Sequence, residues 1–337
     1  MRNRQIKQVG IVGAGQWGTT LAWLCSLKCE DVRLYDYKPE RAKLIQQTRK
    51  NKDFTGDFEI PGNVSVHSDL EHVIGSAQII LVVVPSQSMR ATAKAISQFC
   101  TPSQYLVHGT KGLEQKTHKR MSEVLLEETA CLRVGVLSGP NLADEILNGL
   151  PAASVIASRF DEVIEGVQNL LSSPRFLVFG NHDIVGVEWV GTLKNILALA
   201  TGMIHELKLG QNTQALILTR GIAEIELLFK KLGASSETLL GLAGLGDIFA
   251  TCTSQQSRNF RAGVLLAQGQ GAVEVQNQVH ATVEGLHTIR AVLDFKDEHK
   301  LDLPIIEALG RCAFQGKGAL DEVQKILARI PGLEKVV

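Results

Sequence analysis

The sequence predicts an α/β domain with a mostly parallel sheet, followed by an all-α domain. In the first half of the chain, short runs of valine, isoleucine and leucine alternate with segments of helical period, which is typical of βαβ units. After about residue 181 the strand pattern stops and long segments of helical period take over. We therefore predict a boundary near residues 180–185, with domains at residues 1–183 and 184–337.

Each predicted strand is a short apolar run bounded by polar or turn-forming residues. The strands are Gln8–Val12, Val32–Asp36, Ile79–Val84, Tyr105–His108, Val134–Ser138, Ser154–Ala157 and Phe176–Phe179. The predicted helices of the second domain carry apolar residues at helical spacing. They are Val185–Leu207, Gln214–Lys231, Arg261–Gln268, Val283–Glu298, Pro304–Gly310 and Leu320–Ala328.

The composition limits the classes of partner. The 337 residues are 45% hydrophobic, which is enough for one or two buried cores. The 35 lysines and arginines balance 35 aspartates and glutamates, so no overall basic field favours nucleic acid or a membrane surface. The six cysteines are scattered, which indicates reduced, buried thiols and neither a metal site nor a disulfide framework.

Targeting signals are not evident in the sequence. Met1–Val9 carries charge and runs directly into a predicted strand, which leaves no apolar core for a signal peptide. We also expect no segment long and apolar enough to span a bilayer, so the predicted location is cytoplasmic, without stable membrane insertion. The dense run Arg49–Asp53 is expected to be solvated surface.

A glycine pattern follows the first strand and opens a helix, in the sequence Gly-Ala-Gly-Gln-Trp-Gly. In a Rossmann fold, Gly13 would permit the tight turn and Gly15 would let the backbone approach a pyrophosphate. Gly18 would allow close packing of the helix on the strand. The helix N-terminus would offer N–H groups to the phosphates, so the pattern predicts a dinucleotide site.

The end of the second strand carries Asp36 and Tyr37, where an acidic residue is expected to accept hydrogen bonds from a ribose hydroxyl. Asp36 would repel a 2′-phosphate, which favours NAD over NADP. Arg33, Lys38 and Arg41 are near enough in sequence to neutralise that phosphate. An aspartate that simply faces solvent remains the alternative.

Later strand ends carry Pro85, Lys111 and the segment Gly139-Pro140-Asn141. Because ligands lie beyond the carboxyl ends of parallel strands, Lys111 could pair with a substrate oxygen or anion. An ordinary loop lysine is the alternative. Pro140 suits the first turn of a helix, and capping alone would explain the residues beside it.

Lys194 lies within a strongly apolar predicted helix, on the same face as Val190 and Leu197. Burial lowers the pKa of a lysine, which suits this residue type to proton transfer near neutral pH. A lysine that reaches solvent at the helix edge is the alternative. Asp247 ends the glycine-rich segment that begins at Gly241 and could hold a cationic lysine, although the segment alone is only a turn with an aspartate.

The segment Ser257-Arg258-Asn259 precedes a predicted helix. A serine cap, helix N-terminal amides, a guanidinium and a carboxamide would converge there, which suits a phosphate monoester. An ordinary N-cap with a surface arginine is the alternative.

In this order and spacing, the segments resemble the bacterial type of the NAD(P)-dependent glycerol-3-phosphate dehydrogenase family. The resemblance spans residues 10 to about 315 and is specific in combination, although each short motif is weak alone. The matching segments are Gly13-Ala14-Gly15-Gln16-Trp17-Gly18-Thr19, Val83-Val84-Pro85-Ser86, Thr110-Lys111-Gly112-Leu113, Ser138-Gly139-Pro140, Leu193-Lys194-Asn195, Thr219-Arg220-Gly221, Gly244-Leu245-Gly246-Asp247, Ser257-Arg258-Asn259 and Val283-Glu284-Gly285.

The resemblance implies reversible reduction of dihydroxyacetone phosphate to sn-glycerol 3-phosphate, a phospholipid precursor, with NAD or NADP as cofactor. It implies that Lys194 contacts the substrate as general acid in reduction and as base in the reverse direction, and that Asp247 orients Lys194 and contacts a substrate hydroxyl. It also implies that Lys111 binds substrate and faces the cofactor. The other implied substrate contacts are Gly139, Asn141, Ser257, Arg258 and Asn259. The implied cofactor contacts, beyond the glycines and Lys111, are Gln16, Trp17, Asp36, Tyr37, Pro85, Ala143, Arg258 and Glu284. A homodimer is usual in the family.

The sequence departs from the family pattern at two positions. Asn141 stands where the family usually has serine or threonine, and Tyr37 stands where an arginine or histidine often meets the 2′-phosphate. Two other functions remain open: another Rossmann dehydrogenase acting on a hydroxy acid or sugar phosphate, and a dinucleotide sensor without catalysis. Substrates with and without phosphate would separate the dehydrogenases.

Overall fold

The computed structural model describes residues 6–279 and 282–329, which form two compact units. One unit comprises the described residues up to Glu114 together with Lys119–Ile184, and the other comprises Gln115–His118 and the described residues from Val185 onward. The outer ends of the two predicted domains, residues 1–5 and 330–337, lie outside the described residues.

The first unit contains an eight-stranded sheet of strand order β3-β2-β1-β4-β5-β6-β7-β8. Neighbouring strands are parallel except for β6 and β7, so the prediction of a mostly parallel sheet is confirmed. The strands are β1 Gln8–Val12, β2 Asp31–Tyr35, β3 Val64–His67, β4 Ile79–Val82, β5 Tyr105–His108, β6 Val134–Ser138, β7 Ala152–Ser158 and β8 Phe176–Asn181.

Helices pack on both faces of the sheet. They are α1 Gln16–Ser26, α2 Pro39–Thr48, α3 Lys52–Thr55, α4 Leu70–Ile74, α5 Met89–Ile96, α6 Met121–Glu128, α7 Ala143–Leu147 and α8 Asp161–Leu171. Because side chains alternate along a strand, Ile11 and Leu81 enter one core while Val12 and Ile80 enter the other. The result is a doubly wound sheet, whose ligand-binding edge lies at the carboxyl ends of the strands.

Among the described residues of the second unit, all the regular secondary structure is helical, which confirms the predicted class. Its helices are α9 Ile184–Glu206, α10 Gly210–Leu232, α11 Ser236–Leu240, α12 Asp247–Thr253, α13 Arg258–Ala267, α14 Ala272–Val279, α15 Glu284–His299, α16 Pro304–Gln315 and α17 Ala319–Leu327. A π-helical turn, Leu242–Gly246, joins α11 to α12.

The sequence prediction missed β3 and placed the start of α10 too late. β3 is only four residues long and alternates buried with half-buried positions, so its apolar signal is weak. α10 begins at Gly210, but its first turn is polar and largely exposed, so the apolar periodicity used to predict the helix starts only later.

We expected no segment long and apolar enough to span a bilayer, and this expectation was wrong. Among the described residues, α9 is long and apolar enough to do so. However, 94% of its most apolar window is buried inside the protein, which is typical of a central core helix.

Candidate active site

The glycine-rich turn between β1 and α1 needs two of its glycines for the fold itself. Gly13 has φ +116°, and a Cβ there would lie 2.6 Å from the carbonyl oxygen of Val83. A Cβ on Gly18 would lie 1.8 Å from the carbonyl oxygen of Gly13. At Gly15, the N-cap of α1, a Cβ would meet no described atom within 4 Å. Gly15 therefore leaves open space at the N-terminus of an 11-residue helix.

Predicted cofactor residues surround this helix N-terminus. The Gln16 side chain donates to Asp144 at 2.6 Å, in the helix that begins at Ala143. The Trp17 indole packs against Gly109, where a Cβ would lie 2.9 Å from its Nε1. Pro85 is exposed at the end of β4, ahead of a short 3₁₀ turn. The structure thus brings these groups together at the carboxyl ends of β1, β4 and β5.

Asp36 is 1% exposed, so the alternative of a solvent-facing aspartate is wrong. Its Oδ2 accepts from Arg41 Nε at 2.5 Å and its Oδ1 accepts from Arg41 Nη2 at 2.9 Å and from the backbone N–H of Lys38 at 2.9 Å. This pairing raises the pKa of Arg41. Tyr37 is 68% exposed, with the Lys38 and Arg41 cations each 5.7 Å from its ring centre. The negative charge of Asp36 is therefore already neutralised.

A second polar group lies at the carboxyl ends of β5 and β6. Lys111 Nζ is 3.3 Å from the carbonyl oxygen of Gly139 and 3.4 Å from Oδ1 of Asn141. Gly139 has φ +130°, and the Asn141 amide lies 3.4 Å from the hydroxyl of Ser154. The Ser154 hydroxyl donates to the backbone of β6, which fixes this corner of the sheet. Three predicted substrate residues are thus brought together.

Lys194 and Asp247 meet inside the second unit. Lys194 Nζ donates to Asp247 Oδ1 at 2.5 Å and to Thr251 Oγ1 at 2.6 Å. The side chains of Lys194 and Asp247 are 7% and 3% exposed, so the alternative of a solvent-reaching lysine is wrong. A buried ion pair needs such hydrogen bonds, because desolvation of both charges is costly.

The sequence alone suggested only a simple turn before Asp247, but the structure shows that this glycine-rich segment is a π-helical turn. A Cβ on Gly244 would lie 2.0 Å from the carbonyl oxygen of Leu239, so only glycine fits this π-helical turn. Single π-helical turns often occur at functional sites. Here the turn delivers Asp247 to the start of α12, beside Lys194.

Sequence reasoning missed Thr251. It follows Asp247 by four residues on α12, so both side chains lie on one helix face, and this spacing was the available signal. The neighbouring Cys252 thiol is buried, which raises its pKa to about 12 and keeps it protonated at neutral pH. Cys252 therefore does not act as an ionised nucleophile beside Lys194.

Two predicted helix starts were wrong. Pro140 does not begin a helix, since α7 starts at Ala143. The predicted start of a helix at Arg261 was too late, because α13 begins at Arg258 and its first turn contains Arg258 and Asn259. The predicted serine cap is confirmed, since Ser257 is the N-cap of α13 and its hydroxyl accepts from a backbone N–H. The carboxamide and guanidinium are therefore displayed by the helix N-terminus itself.

The first turn of α13 is linked to α9 and α15. Asn259 Nδ2 donates to Asn195 Oδ1 at 3.0 Å, and its own Oδ1 accepts from the Gly285 N–H at 3.0 Å. Asn195 adjoins Lys194, and Glu284 is the first residue of α15. Arg258 is exposed. The Asn259 amide therefore links α13 to Asn195 on α9 and to the start of α15.

A doubly wound sheet with this glycine-rich turn is typical of proteins that bind a dinucleotide, and the buried lysine of the helical unit is a residue type that transfers protons. Together these features define a candidate nicotinamide-dependent dehydrogenase. Family comparison agrees at the level of the whole chain. Residues 8–164 match the family described as NAD-dependent glycerol-3-phosphate dehydrogenase N-terminus, and residues 183–324 match its C-terminus. The chain belongs to the NAD-dependent glycerol-3-phosphate dehydrogenase family.

Relatives of nearly equal length support this membership. The chain is 41% identical over 323 residues to glycerol-3-phosphate dehydrogenase, NAD(P)+, of Moorella thermoacetica, covering 96% of each chain. It is 35% identical to the enzyme of the same name from Shouchella clausii, covering 96% of this chain and 97% of that one. The crystal structure of glycerol-3-phosphate dehydrogenase from Coxiella burnetii superposes with a TM-score of 0.90 at 34% identity, covering 96% of this chain and 99% of that chain.

Proposed function

We propose that the protein reversibly reduces dihydroxyacetone phosphate to sn-glycerol 3-phosphate, with NAD or NADP as cofactor. The observation that carries the proposal is the buried Lys194 ammonium, held by Asp247 and Thr251 in a member of this family. A ketone reduction needs a proton at the carbonyl oxygen, and a positioned lysine can donate it.

The glycine-rich turn fits the pyrophosphate of the cofactor. Gly15 leaves a cradle that any Cβ would enter, and the first N–H groups of α1 have no acceptors within their own helix. Gln16, Trp17, Pro85, Ala143, Asp36 and Tyr37 are the remaining contacts that we propose in this unit, with Arg258 and Glu284 in the other. When bound, the reduced nicotinamide supplies the hydride.

Lys111, Gly139 and Asn141 are proposed to bind the end of the substrate that carries the free hydroxyl. The Lys111 ammonium lies 3.3 Å from the Gly139 carbonyl oxygen and 3.4 Å from Asn141 Oδ1, and a substrate oxygen could replace either of these long contacts. Asn141 can hydrogen-bond through either end of its amide, as the serine or threonine usual in the family can through a hydroxyl. The departure at this position therefore preserves a polar contact.

Ser257, Arg258 and Asn259 are proposed to bind the substrate phosphate. The first turn of α13 offers backbone N–H groups, and the exposed Arg258 guanidinium adds charge-assisted hydrogen bonds. The Asn259 amide already holds two partners, so we expect it to act mainly by fixing this turn.

Lys194 is proposed to donate the proton to the carbonyl oxygen in reduction and to accept it in the reverse direction. Asp247 and Thr251 fix the amine, so it need not reorganise during the reaction. The positive charge of Lys194 also stabilises the alkoxide that develops on the substrate.

Three broader assignments belong to this proposal. A product of this kind would feed glycerophospholipid synthesis, and the balanced charge and buried α9 favour a cytoplasmic enzyme. A homodimer is proposed because dimers are usual in the family, and light scattering after gel filtration would test it. The hydroxy-acid, sugar-phosphate and sensor alternatives are not favoured, since relatives matched over the full chain are named glycerol-3-phosphate dehydrogenases.

The deciding experiment is an absorbance assay with NADH or NADPH and dihydroxyacetone phosphate. Unphosphorylated dihydroxyacetone is the control, because it has the same ketone without the phosphate. We expect rapid loss of reduced-nicotinamide absorbance only with the phosphorylated ketone. Cofactor binding without turnover of any phosphorylated ketone would overturn the proposal and revive the sensor alternative.

A further inference from the structure

The side chain of Asn51 is buried beside the glycine-rich turn. This residue lies between α2 and α3 in the charged run Arg49–Asp53, which the sequence predicts to be solvated surface. That prediction was wrong at this position, because Asn51 is 1% exposed. Its Nδ2 donates to the carbonyl oxygen of Ala14 and to Thr19 Oγ1, both at 2.9 Å.

Thr19 extends this contact to the next residue of the turn. Its hydroxyl accepts from Asn51 and donates to the carbonyl oxygen of Gly15 at 2.9 Å. Asn51 therefore holds the Ala14 carbonyl directly. It also orients the Thr19 hydroxyl, which adds a second hydrogen bond to the Gly15 carbonyl beside that of the Thr19 N–H at 3.0 Å. Both carbonyls belong to the turn that precedes α1.

Fixing these carbonyls also fixes the N–H groups that a phosphate would meet. A peptide unit is planar and trans, so its N–H points opposite to its C=O. The Ala14 carbonyl shares a peptide unit with the N–H of Gly15, and the Gly15 carbonyl shares one with the N–H of Gln16. Those N–H groups lie at the helix N-terminus, where anions bind.

We infer that Asn51 is a positioning residue that aims the N–H groups of Gly15 and Gln16 at the pyrophosphate of the dinucleotide. The inference rests on the proposed dinucleotide site. A stability role alone explains Asn51 poorly, because its Oδ1 is buried without a hydrogen-bond partner among the described residues. An unpaired buried acceptor carries a desolvation penalty that an apolar side chain would avoid. An apolar residue could not supply the two hydrogen bonds that Asn51 donates, so we attribute its presence to them.

The test compares Asn51→Leu with a matched control, Asn63→Leu. Asn63 also uses its Nδ2 to hold two carbonyls, those of Ser26 at 2.8 Å and Cys29 at 2.9 Å, but at the opposite end of α1. Both substitutions thus remove an asparagine that holds the same helix. Only Asn51 contacts the glycine-rich turn.

We expect Asn51→Leu to weaken NADH binding, measured by fluorescence titration, by about tenfold or more, which corresponds to the loss of about one net hydrogen bond. The turnover number at saturating NADH and the KM for dihydroxyacetone phosphate should change less than about twofold, since those depend on other groups. ADP binding should weaken by the same factor as NADH binding, while adenosine binding should not change. Asn63→Leu should leave all of these values at the wild-type level.

Thr19→Val keeps the shape of the side chain and removes the hydroxyl, with its hydrogen bonds to Asn51 and to the Gly15 carbonyl. The direct contact of Asn51 to the Ala14 carbonyl remains, so the variant should give an intermediate loss of affinity. If Asn51→Leu fails to fold, the NADH affinity of Thr19→Val still tests the inference. Unchanged NADH affinity in both variants, or equal losses for ADP and adenosine, would overturn the inference. Wild-type protein that binds NADH but does not reduce dihydroxyacetone phosphate would overturn the proposed reaction alone. Wild-type protein that binds neither NADH nor ADP would overturn both.

Discussion

The Lys194 ammonium and the Asp247 carboxylate form a 2.5 Å ion pair that is almost completely buried. Pairs of this kind are usually costly, since two charges lose their hydration, and replacing them by apolar residues is often stabilising. Thr251 adds a hydrogen bond at 2.6 Å, which leaves the amine fixed by two groups of α12. A charge maintained at this cost in a dehydrogenase family is best explained by chemistry.

We expect Lys194→Ala to lower the turnover number by about 10²- to 10⁴-fold, the usual contribution of a general acid or base. NADH binding should remain close to wild type, because the proposed role of the lysine is proton transfer. The variant removes the cationic partner of the buried Asp247 carboxylate, so its thermal unfolding must be measured alongside turnover.

Lys194→Arg separates charge from proton transfer. The guanidinium keeps a positive partner for Asp247 but does not release its proton at neutral pH. We expect it to fold and bind NADH while losing turnover as severely as Lys194→Ala. Wild-type turnover in either variant would show that Lys194 is not the proton donor.

The glycines of the turn should respond differently to the same substitution. Gly15→Ala places a methyl group in open space at an ordinary backbone conformation, so the unliganded protein should unfold at the wild-type temperature. NADH affinity should nevertheless fall by about tenfold or more, because the methyl group would enter the phosphate cradle. Gly18→Ala should lower the unfolding temperature itself, since its Cβ would overlap the Gly13 carbonyl oxygen.

Thermal scans with and without NADH would measure both glycine effects. Equal destabilisation of the two unliganded variants would contradict the distinction between a fold requirement at Gly18 and a ligand requirement at Gly15.

Arg258→Ala should raise the KM for dihydroxyacetone phosphate by about 10- to 100-fold, the usual value of a charge-assisted hydrogen bond. Arg261→Ala is the matched control, because it removes an exposed arginine from the next turn of the same helix. Initial rates over a range of ketone concentrations would compare the two variants. A similar KM in both would argue against a phosphate site at the start of α13.

The sequence predicted those features whose signal is local and strong. Gly13 to Gly18 lie in a motif with a strand before it and a helix after it, and Lys194 stands out because α9 is so apolar. Asn51 could not be identified in this way, because its partners lie 32 and 37 residues away and its neighbours are charged. Burial in such a loop is decided by tertiary packing, which no local pattern contains.

The ion pair of Asp36 and Arg41 shows that the sequence also could not predict which charges are neutralised. The sequence placed Asp36 at the end of β2 and suggested repulsion of a 2′-phosphate. It also placed Arg41 nearby, but only the structure shows that Arg41 neutralises the carboxylate through two contacts. We therefore expect a modest preference for NADH over NADPH, smaller than a free aspartate would impose.

Arg41→Ala should increase that preference. Removal of the guanidinium leaves the negative charge of Asp36 uncompensated, so the KM for NADPH should rise by about tenfold while that for NADH changes little. Lys43→Ala, an exposed cation two residues further along α2, is the control. Equal changes for the two cofactors in Arg41→Ala would mean that this pair does not sense the 2′-phosphate.

The buried carboxyl group of Glu224 should make the stability of the helical unit depend on pH. It is 4% exposed on α10, and its carboxylate accepts from the N–H groups of Ile305 at 2.7 Å and Ile306 at 3.1 Å, in the first turn of α16. The pKa of Glu224 is raised from 4.5 to about 8: burial raises it most, the two hydrogen bonds lower it in part, and the nearby Asp302 and Glu307 also raise it. The folded state therefore holds the proton more tightly than the unfolded state. Its contribution to stability is complete below about pH 4.5 and is lost as the pH rises through about 8.

Glu224→Gln removes this titration, because a carboxamide stays neutral over the whole range. The unfolding temperature of the wild type, relative to that of the variant, should fall by on the order of 5–10 °C between pH 5 and pH 9. Thermal unfolding of both proteins in one buffer series would measure the difference, which cancels the titration of every other group that the two share. Parallel curves would mean that the two N–H donors keep Glu224 ionised in the folded protein, so that hydrogen bonding at the start of α16 outweighs the cost of burial.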